Sequence, residues 1–345
     1  MKKINIIWLA ICMLLCVGCS DKISDNQIVQ TTEEELGEMF ATSQPSKKSL
    51  GQYGFGVQDV MLEKVNSRNM IQVEYNGEEI HIPYYVQGMG KGDVADFALM
   101  LWVNGVPHSF WIEYADGKSE KESFMQPFQL EGLERREFDV VFKPHSGKKG
   151  DRISFVFGTV LKPDYMVESV EHPNFGNYLH LSANTPFELK LNADVEELYI
   201  GTNPFKEQDI TQEIIDKKKN ILHSSSLDSL DQNVILNIYD SETKDPQIVY
   251  IKDNCAKVDF ELLGGADVSH RITFYVNHKL VKVNGADYLT VKTRKGKMYC
   301  AEVELELEEH QKLNSLYAVS MTDGEDYYVQ DIRQSRIRLL AERGE

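Results

Sequence analysis

The chain has little cysteine and little positive charge. It contains five cysteines in 345 residues, and only Cys255 and Cys300 lie beyond residue 19. Lysine and arginine number 37 against 54 aspartates and glutamates, which gives a formal net charge of -17 at pH 7. Because so many carboxylates repel a phosphate backbone, the composition predicts that the protein has no nucleic-acid partner.

The motifs of common catalytic and metal sites are absent as well. The nine histidines include no H-E-x-x-H pair, and no G-x-S-x-G occurs. The glycine-rich stretch at 88–92 is followed by a strand-like run, where a phosphate-binding loop requires a helix. The acidic clusters at 240–245 and 323–326 lack the D-x-D-x-D-G order of a calcium loop. We therefore predict that the protein is not an enzyme and has no cofactor or metal site.

The first eighteen residues predict a signal peptide. Two lysines precede the apolar run 6–17, which is too short to cross a bilayer as an untilted helix. Val17-Gly18-Cys19 resembles a bacterial lipobox, although Cys16 stands where that family prefers leucine. The resemblance implies that Cys19 is diacylated and anchors the mature chain outside a bacterial membrane, with residues 19–50 as a polar tether. An uncleaved anchor and a plain secretory signal are the alternatives.

Beyond the tether, the apolar residues recur with a period of two. Short runs such as IQVEY, SFWIEY and FDVVF are separated by clusters of Gly, Pro, Asp and Asn. This pattern predicts an all-β fold of short strands, typical of a sandwich.

Part of the strand pattern occurs twice. Aligning Asn104 with Asn277 also matches Trp102 with Tyr275 and Val103 with Val276. We therefore predict two immunoglobulin-like β-sandwich domains, at 51–165 and 253–345, with a mixed, mainly β segment at 166–252 between them. At the level of architecture this resembles immunoglobulin-like modules on bacterial surface lipoproteins.

The two cysteines beyond the tether are both predicted to point outward from their strands. The alternation of apolar residues places both Cys255 and Cys300 on outward positions of their strands. If the strands are neighbours, a disulfide between them is geometrically feasible. Two free thiols are the alternative.

One predicted outward face is apolar. In the first copy it presents Ala98, Met100 and Trp102, where the second copy presents Arg271, Thr273 and Tyr275 as a wetted face. Something must cover the apolar face. Segment 166–252 is one candidate cover, and a sugar or protein partner is the other. The residues expected to form such a contact face are Met100, Trp102, Trp111, Tyr84 and Tyr85.

These features predict a membrane-anchored, extracytoplasmic lipoprotein that acts without catalysis as an adhesion, interaction or accessory binding module. Its partners are the membrane, through the N-terminal lipid, and a protein or glycan. A solute-binding lipoprotein of a transporter is one alternative, but such proteins use two α/β lobes and the helix signal here is sparse. A secreted carbohydrate-active protein is the other alternative.

Overall fold

A computed structural model describes residues 51–343, except 67–69, 91–93, 171–174, 176–177, 184–186, 223–229, 231–232, 266 and 324–331. The predicted signal peptide, Cys19 and the tether lie outside the described residues. All described residues belong to one compact unit, Lys48–Glu345. Their secondary structure is almost entirely β, which confirms the predicted fold class. No helix among the described residues is long and apolar enough to cross a membrane.

The first sandwich consists of two separate sheets. Its strands are β1 (Tyr53–Val57), β2 (Gln72–Tyr75), β3 (Ile80–Gly88), β4 (Val94–Val103), β5 (Val106–His108), β6 (Trp111–Glu113), β7 (Met125–Glu131), β8 (Arg135–Phe142), β9 (Arg152–Leu161), β10 (Leu181–Ala183) and β11 (Phe187–Leu191). A short 3₁₀ helix, Asp59–Lys64, follows β1. One sheet has the order β1-β3-β8-β6, and the other has the order β2-β11-β9-β4-β5, with β7 on β4 and β10 on β9.

This order matches the two sheets of an immunoglobulin-like domain, A-B-E-D and G-F-C. Along β3 the burial alternates, so that Ile80, Ile82, Tyr84 and Val86 enter the core between the sheets. Strands β4 and β9 instead are buried on both faces over most of their length. Their continuous apolar sequences follow from this double burial, because one face lines the core and the other packs against the second sandwich.

The second sandwich forms a closed ring of strands. Its elements are β12 (Gly201–Thr202), β13 (Lys206–Asp209), α1 (Gln212–Leu222), β14 (Val234–Asp240), β15 (Ile248–Lys252), β16 (Cys255–Gly264), β17 (Ser269–Val276), β18 (Lys279–Val283), β19 (Tyr288–Lys292), β20 (Lys297–Glu306), β21 (Leu313–Thr322), β22 (Arg333–Gln334) and β23 (Arg338–Glu342). Pairing runs β17-β18-β20-β16-β15-β23-β21 and returns from β21 to β17.

The strand register confirms the alignment of Asn104 with Asn277. Trp102 lies opposite Val156 on β9, and Tyr275 lies opposite Tyr317 on β21. The N–H of Asn104 donates to the carbonyl of Ser154, and that of Asn277 donates to the carbonyl of Ser315. In each copy the last strand also pairs in parallel with an early one, β11 with β2 and β23 with β15. The repeat therefore extends well beyond the segments in which the sequence reveals it.

The predicted boundaries of the intermediate segment need correction. Strand β11 lies within 166–252 but completes a sheet of the first sandwich by pairing with β9. Strands β14 and β15 also lie within that segment, and both pair with β16 of the second sandwich. Only residues 192–233 connect the two repeats. The segment is mainly β, as predicted, but its periodicity carried no information about which sheet each strand would join.

The connecting residues add to the second sandwich. Strand β12 pairs with β19, and β13 pairs with β20. Helix α1 lies in this connection, and its Ile215 packs in a small buried cluster with Leu263 and Met298. Tyr199 lies in the same connection and donates its hydroxyl proton to the carbonyl of Pro107 at 2.8 Å, which ties the connection to the first sandwich.

Candidate binding cleft between the two sandwiches

The apolar face of the first sandwich is covered by the second sandwich. Trp102 is 1% exposed and belongs to a buried cluster with residues from both halves. That cluster comprises Ala98, Met100, Trp102, Val156 and Val160 from the first sandwich and Tyr275, Tyr317, Val319 and Met321 from the second. The prediction that segment 166–252 or a ligand covers this face is therefore wrong in its main part. Among the described residues of that segment, only Leu181 and Ala183 reach the cluster, and they lie at its edge.

The opposing face of the second sandwich is also buried, contrary to the prediction. Thr273 is 0% exposed and Tyr275 is 1% exposed. The indole Nε1 of Trp102 donates a hydrogen bond of 2.8 Å to the hydroxyl of Tyr275, and Thr273 Oγ1 lies 3.1 Å from the same hydroxyl. Burial raises the pKa of Tyr275 far above its ordinary value. The hydroxyl groups of Thr273 and Tyr275, which were expected to face water, therefore have hydrogen-bond partners inside the protein.

Arg271 of the second sandwich makes polar contacts at the interface. Arg271 donates to Ser146 Oγ of the first sandwich at 2.8 Å, and its Nε pairs with Asp323 at 3.1 Å. Gly105 has φ +78, and a Cβ there would lie 3.0 Å from the Cβ of Arg271. The close approach of the two halves therefore requires glycine at this turn.

Beside the buried cluster lies an open cleft of about 1090 Å³, lined by both sandwiches. Its apolar lining consists of Met100, Pro107, Phe124, Met125, Pro163, Met166, Tyr275, Val276 and Leu280. Three of these side chains are methionines, whose flexible thioethers adapt to varied partners. Phe124 stands at this cleft with 48% of its surface exposed. A separate depression of about 300 Å³, around Asp240 and Arg343, is smaller and mostly lined by polar side chains.

One wall of the cleft carries a buried histidine. Asn277 and His278 form a tight turn between β17 and β18, with φ of 48 and 64. His278 is 6% exposed, and its Nδ1 shares a hydrogen bond of 2.7 Å with the hydroxyl of Tyr317. Its Nε2 has no hydrogen-bond partner within the described residues. Burial lowers the pKa of His278 to about 4, so the imidazole is neutral at pH 7.

The rim of the cleft is acidic. Glu122, Asp164 and Glu309 line it together with Lys279 and His310. Lys279 pairs with Glu309 at 3.2 Å, and Glu122 accepts a hydrogen bond from Ser109 at 2.5 Å.

Asp164 adds to a concentration of negative charge near this rim. Burial and then the Asp164 carboxylate raise the pKa of Asp96, which precedes Ala98 and Met100 on the same face of β4. Lys162 partly offsets this repulsion. The rim therefore offers a favourable environment for a cationic group.

The other aromatic residues predicted for the contact face do not join Met100 and Trp102. Tyr84 is fully buried in the first core, with its ring 4.5 Å from that of Phe157. Tyr85 and Trp111 are half-buried on the other sheet of that sandwich, and Arg135 lies over the Tyr85 ring at 3.9 Å. The predicted contact face is therefore not assembled.

Sequence reasoning missed most of the cleft. The residues it did not identify include Phe124, Met125, Met166 and His278. They lie on loops or strand ends of both repeats, so no local periodicity groups them. Only the Asn277-His278 pair carried a signal, because two consecutive residues able to adopt positive φ mark a tight hairpin.

The proposed disulfide is also corrected. Strands β16 and β20 are neighbours, as the prediction required, but Cys255 lies opposite Glu306 and Cys300 lies opposite Glu261. Six residues therefore separate the cysteines along the ladder, or roughly 20 Å, far beyond the reach of a disulfide. Both thiols are free. The alternation of apolar residues correctly predicted that both cysteines lie on outward positions, but it did not predict how far apart they lie along the paired strands.

In the acidic cluster at 240–245, the Asp240 carboxylate binds backbone N–H groups of the adjacent turn and strand. Asp240 Oδ1 accepts hydrogen bonds from the N–H groups of Glu242 and Thr243, and its Oδ2 accepts one from Tyr250. Of the second cluster, Asp323 pairs with Arg271, and the remaining residues lie outside the described part. Among the described residues no group of three or more metal-ligating side chains occurs.

No family model and no curated protein matches this chain. Solved structures that it resembles include the CsuC-CsuE chaperone-tip adhesion subunit pre-assembly complex of Acinetobacter baumannii (11% identity, 79% of this chain and 95% of that chain, TM-score 0.20). Others are PapD-like domain 7 of human CEP192 (11% identity, 51% and 99%, TM-score 0.19) and the C-terminal domain of the Streptococcus pyogenes antigen I/II-family protein AspA (8% identity, 85% and 99%, TM-score 0.20). Such weak similarities carry no argument about function. Strand order and pairing define the chain as an all-β protein with immunoglobulin-like sandwiches.

Proposed function

We propose that this protein is a lipid-anchored, extracytoplasmic binding module that holds a protein partner in the cleft between its two sandwiches. The observation that carries the proposal is the cleft itself, with its methionine-rich lining and one exposed aromatic ring, Phe124. The buried cluster around Trp102 joins the two walls, so the cleft is formed before any partner arrives. Preformed concave apolar sites are the usual places for binding.

The lining supports binding rather than catalysis. The thioether, proline and leucine side chains of the apolar lining provide neither an acid, a base nor a nucleophile, and the carboxylates of the cleft lie at its rim. His278 is neutral at pH 7, and its Nδ1 is engaged with the Tyr317 hydroxyl.

A protein partner suits this cleft better than a glycan. The aromatic ring of Tyr275 is buried in the interface and therefore offers no flat platform to a sugar. Flexible methionines next to Phe124 can repack around varied apolar side chains. An all-β architecture also differs from the two α/β lobes of a solute-binding lipoprotein.

The anchoring rests on the sequence alone. Val17-Gly18 precedes Cys19 and not Cys16. Cys19→Ala should therefore abolish labelling by radioactive palmitate in a bacterial host, whereas Cys16→Ala should retain it. Equal labelling of wild type and Cys19→Ala would contradict the proposed anchor.

Binding at the cleft is tested by screening the purified full chain, in detergent, against arrays of peptides and of cell-wall glycans. Phe124→Glu should weaken binding of the selected peptides about tenfold or more, because it places a charge on the apolar surface. The matched control is Leu133→Glu, since Leu133 is 56% exposed and does not line the cleft. Equal effects of the two substitutions would contradict the proposal, and selection of glycans alone would support the carbohydrate alternative instead.

A further inference from the structure

We propose that the cleft selects an extended polypeptide segment in which a basic residue lies next to a large apolar one. This inference rests on the proposed function and adds the chemistry of the partner. Three features of the site support it: the size and nature of the lining, the charge of the rim and an open strand edge at the cleft.

The lining is deep enough for more than one side chain. Its volume of about 1090 Å³ slightly exceeds the range of small-molecule sites, which span about 300–1,000 Å³. Met125, Met166 and Leu280 are half-buried there and can still give up exposed surface to a partner. An apolar anchor buried at such a place typically supplies most of the affinity of a peptide.

The charge of the rim determines which residue is favoured next to the apolar anchor in the bound peptide. The rim has three carboxylates and one lysine, and Lys279 is already paired with Glu309. Asp164 is exposed and forms no ion pair within the described residues, and it lies close enough to Asp96 to interact with it electrostatically. An incoming lysine or arginine would relieve this repulsion, whereas an acidic residue would increase it.

An open strand edge at the cleft favours an extended segment. Within the described strands, β5 and β7 pair only with β4, and Lys279 to Val281 of β18 pair only with β17. Leu280 brings the open edge of β18 to the cleft. The edges at Pro107 and Met125 are already engaged, because the Pro107 carbonyl accepts from Tyr199 and the Met125 N–H donates to Ser123 Oγ. Open edges can accept main-chain hydrogen bonds from an added strand. An acyl chain would use neither this edge nor the acidic rim, so the observations favour a peptide over a lipid.

The experiment measures the affinity of the purified full chain for short synthetic peptides by fluorescence anisotropy. The first peptide is threonine-rich with a central leucine next to lysine. In the second, glutamate replaces the lysine, and in the third, serine replaces the leucine. We expect the first to bind about tenfold tighter than either of the others.

The rim is then tested by substitution. Asp164→Asn should reduce the preference for lysine over glutamate at least about threefold, because it removes one rim charge. Asp194→Asn is the matched control, since Asp194 is an exposed carboxylate that does not line the cleft. Its preference should equal that of the wild type.

Several outcomes overturn the inference and separate it from the proposed function. Equal affinity for the lysine and glutamate peptides, with binding still abolished by Phe124→Glu, would overturn the charge selection and leave the binding cleft standing. Full displacement of the peptide by lauric acid, with tighter binding of the fatty acid than of any peptide, would assign the cleft to acyl chains. Peptide affinity that is unchanged in Phe124→Glu would overturn both proposals.

Discussion

The two sandwiches are built from equivalent strands, yet only the second one closes. In the first, β5 and β7 end one sheet, β6 ends the other, and the sheets remain separate. In the second, β18 links β17 to β20, and β15 links β16 to β23, so the strands form a continuous ring. Closure leaves the second sandwich with fewer open edges, although Lys279 to Val281 of β18 still pair with β17 alone. The unclosed edge of the first sandwich lines the cleft through Pro107 and Met125, so the difference between the copies contributes to the proposed binding surface.

The two copies also pack through equivalent faces. Trp102 and Tyr275 occupy the same place in the repeat and hydrogen-bond each other. In a symmetric dimer a residue that contacts its own equivalent lies on the twofold axis. The chain thus contains an internal pseudo-dimer, whose two faces have diverged into an apolar row and a row that carries hydroxyl groups.

The largest expected effect comes from breaking this shared interface. Trp102→Ala should destabilise the protein by about 3–5 kcal/mol, because it removes a buried indole and leaves a cavity. Trp111→Ala is the control, since Trp111 is half-buried on a sheet that does not face the second sandwich. Urea unfolding followed by circular dichroism measures both. A cost for Trp102→Ala no greater than that for Trp111→Ala would contradict the interface.

The face that carries Trp102 illustrates how much of the fold the sequence could predict. Alternation and the matched asparagines gave the parity of Trp102 and the register of the repeat, because both are local properties of a strand. The alternation along a strand predicts that a side chain points away from the core of its own sandwich. It does not predict which residues that side chain contacts. The partner face, the domain boundaries and the distance between Cys255 and Cys300 all depend on which strands pair, and pairing is decided by contacts far apart in the chain.

The next largest effect concerns the buried histidines His108, in the first copy, and His278, in the second. Burial lowers the pKa of His108 in the first sandwich and of His278 in the second to about 4, against 6.5 for an exposed group. The unfolded chain therefore takes up these protons at higher pH than the folded chain, and stability falls as the pH drops from 6.5 towards 4. Each histidine should contribute a loss of about 3 kcal/mol.

His278→Asn tests that contribution, because asparagine tolerates the positive φ of this turn. The free energy of unfolding, measured by urea at several pH values, should depend less steeply on pH in the variant, by about one proton. His108 remains in the variant and maintains its share of the slope. Identical slopes for the variant and the wild type would show that His278 is not titrated in this window.

A smaller effect is expected for the hydrogen bond between the equivalent residues. Tyr275→Phe leaves the buried Nε1 of Trp102 without its acceptor and should cost about 1–3 kcal/mol. Trp102→Phe removes the donor, so the double variant should cost less than the sum of the single variants. Thermal and urea unfolding of the four proteins provide this cycle. Additive costs would mean that the two groups do not interact.

The smallest effect concerns the turn of the first copy. Gly105→Ala introduces strain at φ +78 and crowds Arg271, whereas Gly117→Ala introduces strain at φ +82 with nothing within 4 Å. Both changes should cost about 1 kcal/mol for the backbone. Because of the additional crowding, Gly105→Ala should lower the free energy of unfolding more than Gly117→Ala does. Urea unfolding measures this difference. A greater cost for Gly117→Ala would show that the two halves do not approach closely at this turn.

Binding at the cleft is tested most directly by methyl NMR of the methionines. Met100, Met125 and Met166 line the cleft, whereas Met89 is 58% exposed and does not line it. On titration with the lysine-containing peptide, the methyl resonances of the three lining methionines should shift and saturate together, while that of Met89 stays unchanged. Saturable binding with no shift at the three lining methionines, or with a shift at Met89 alone, would place the peptide elsewhere and contradict the account.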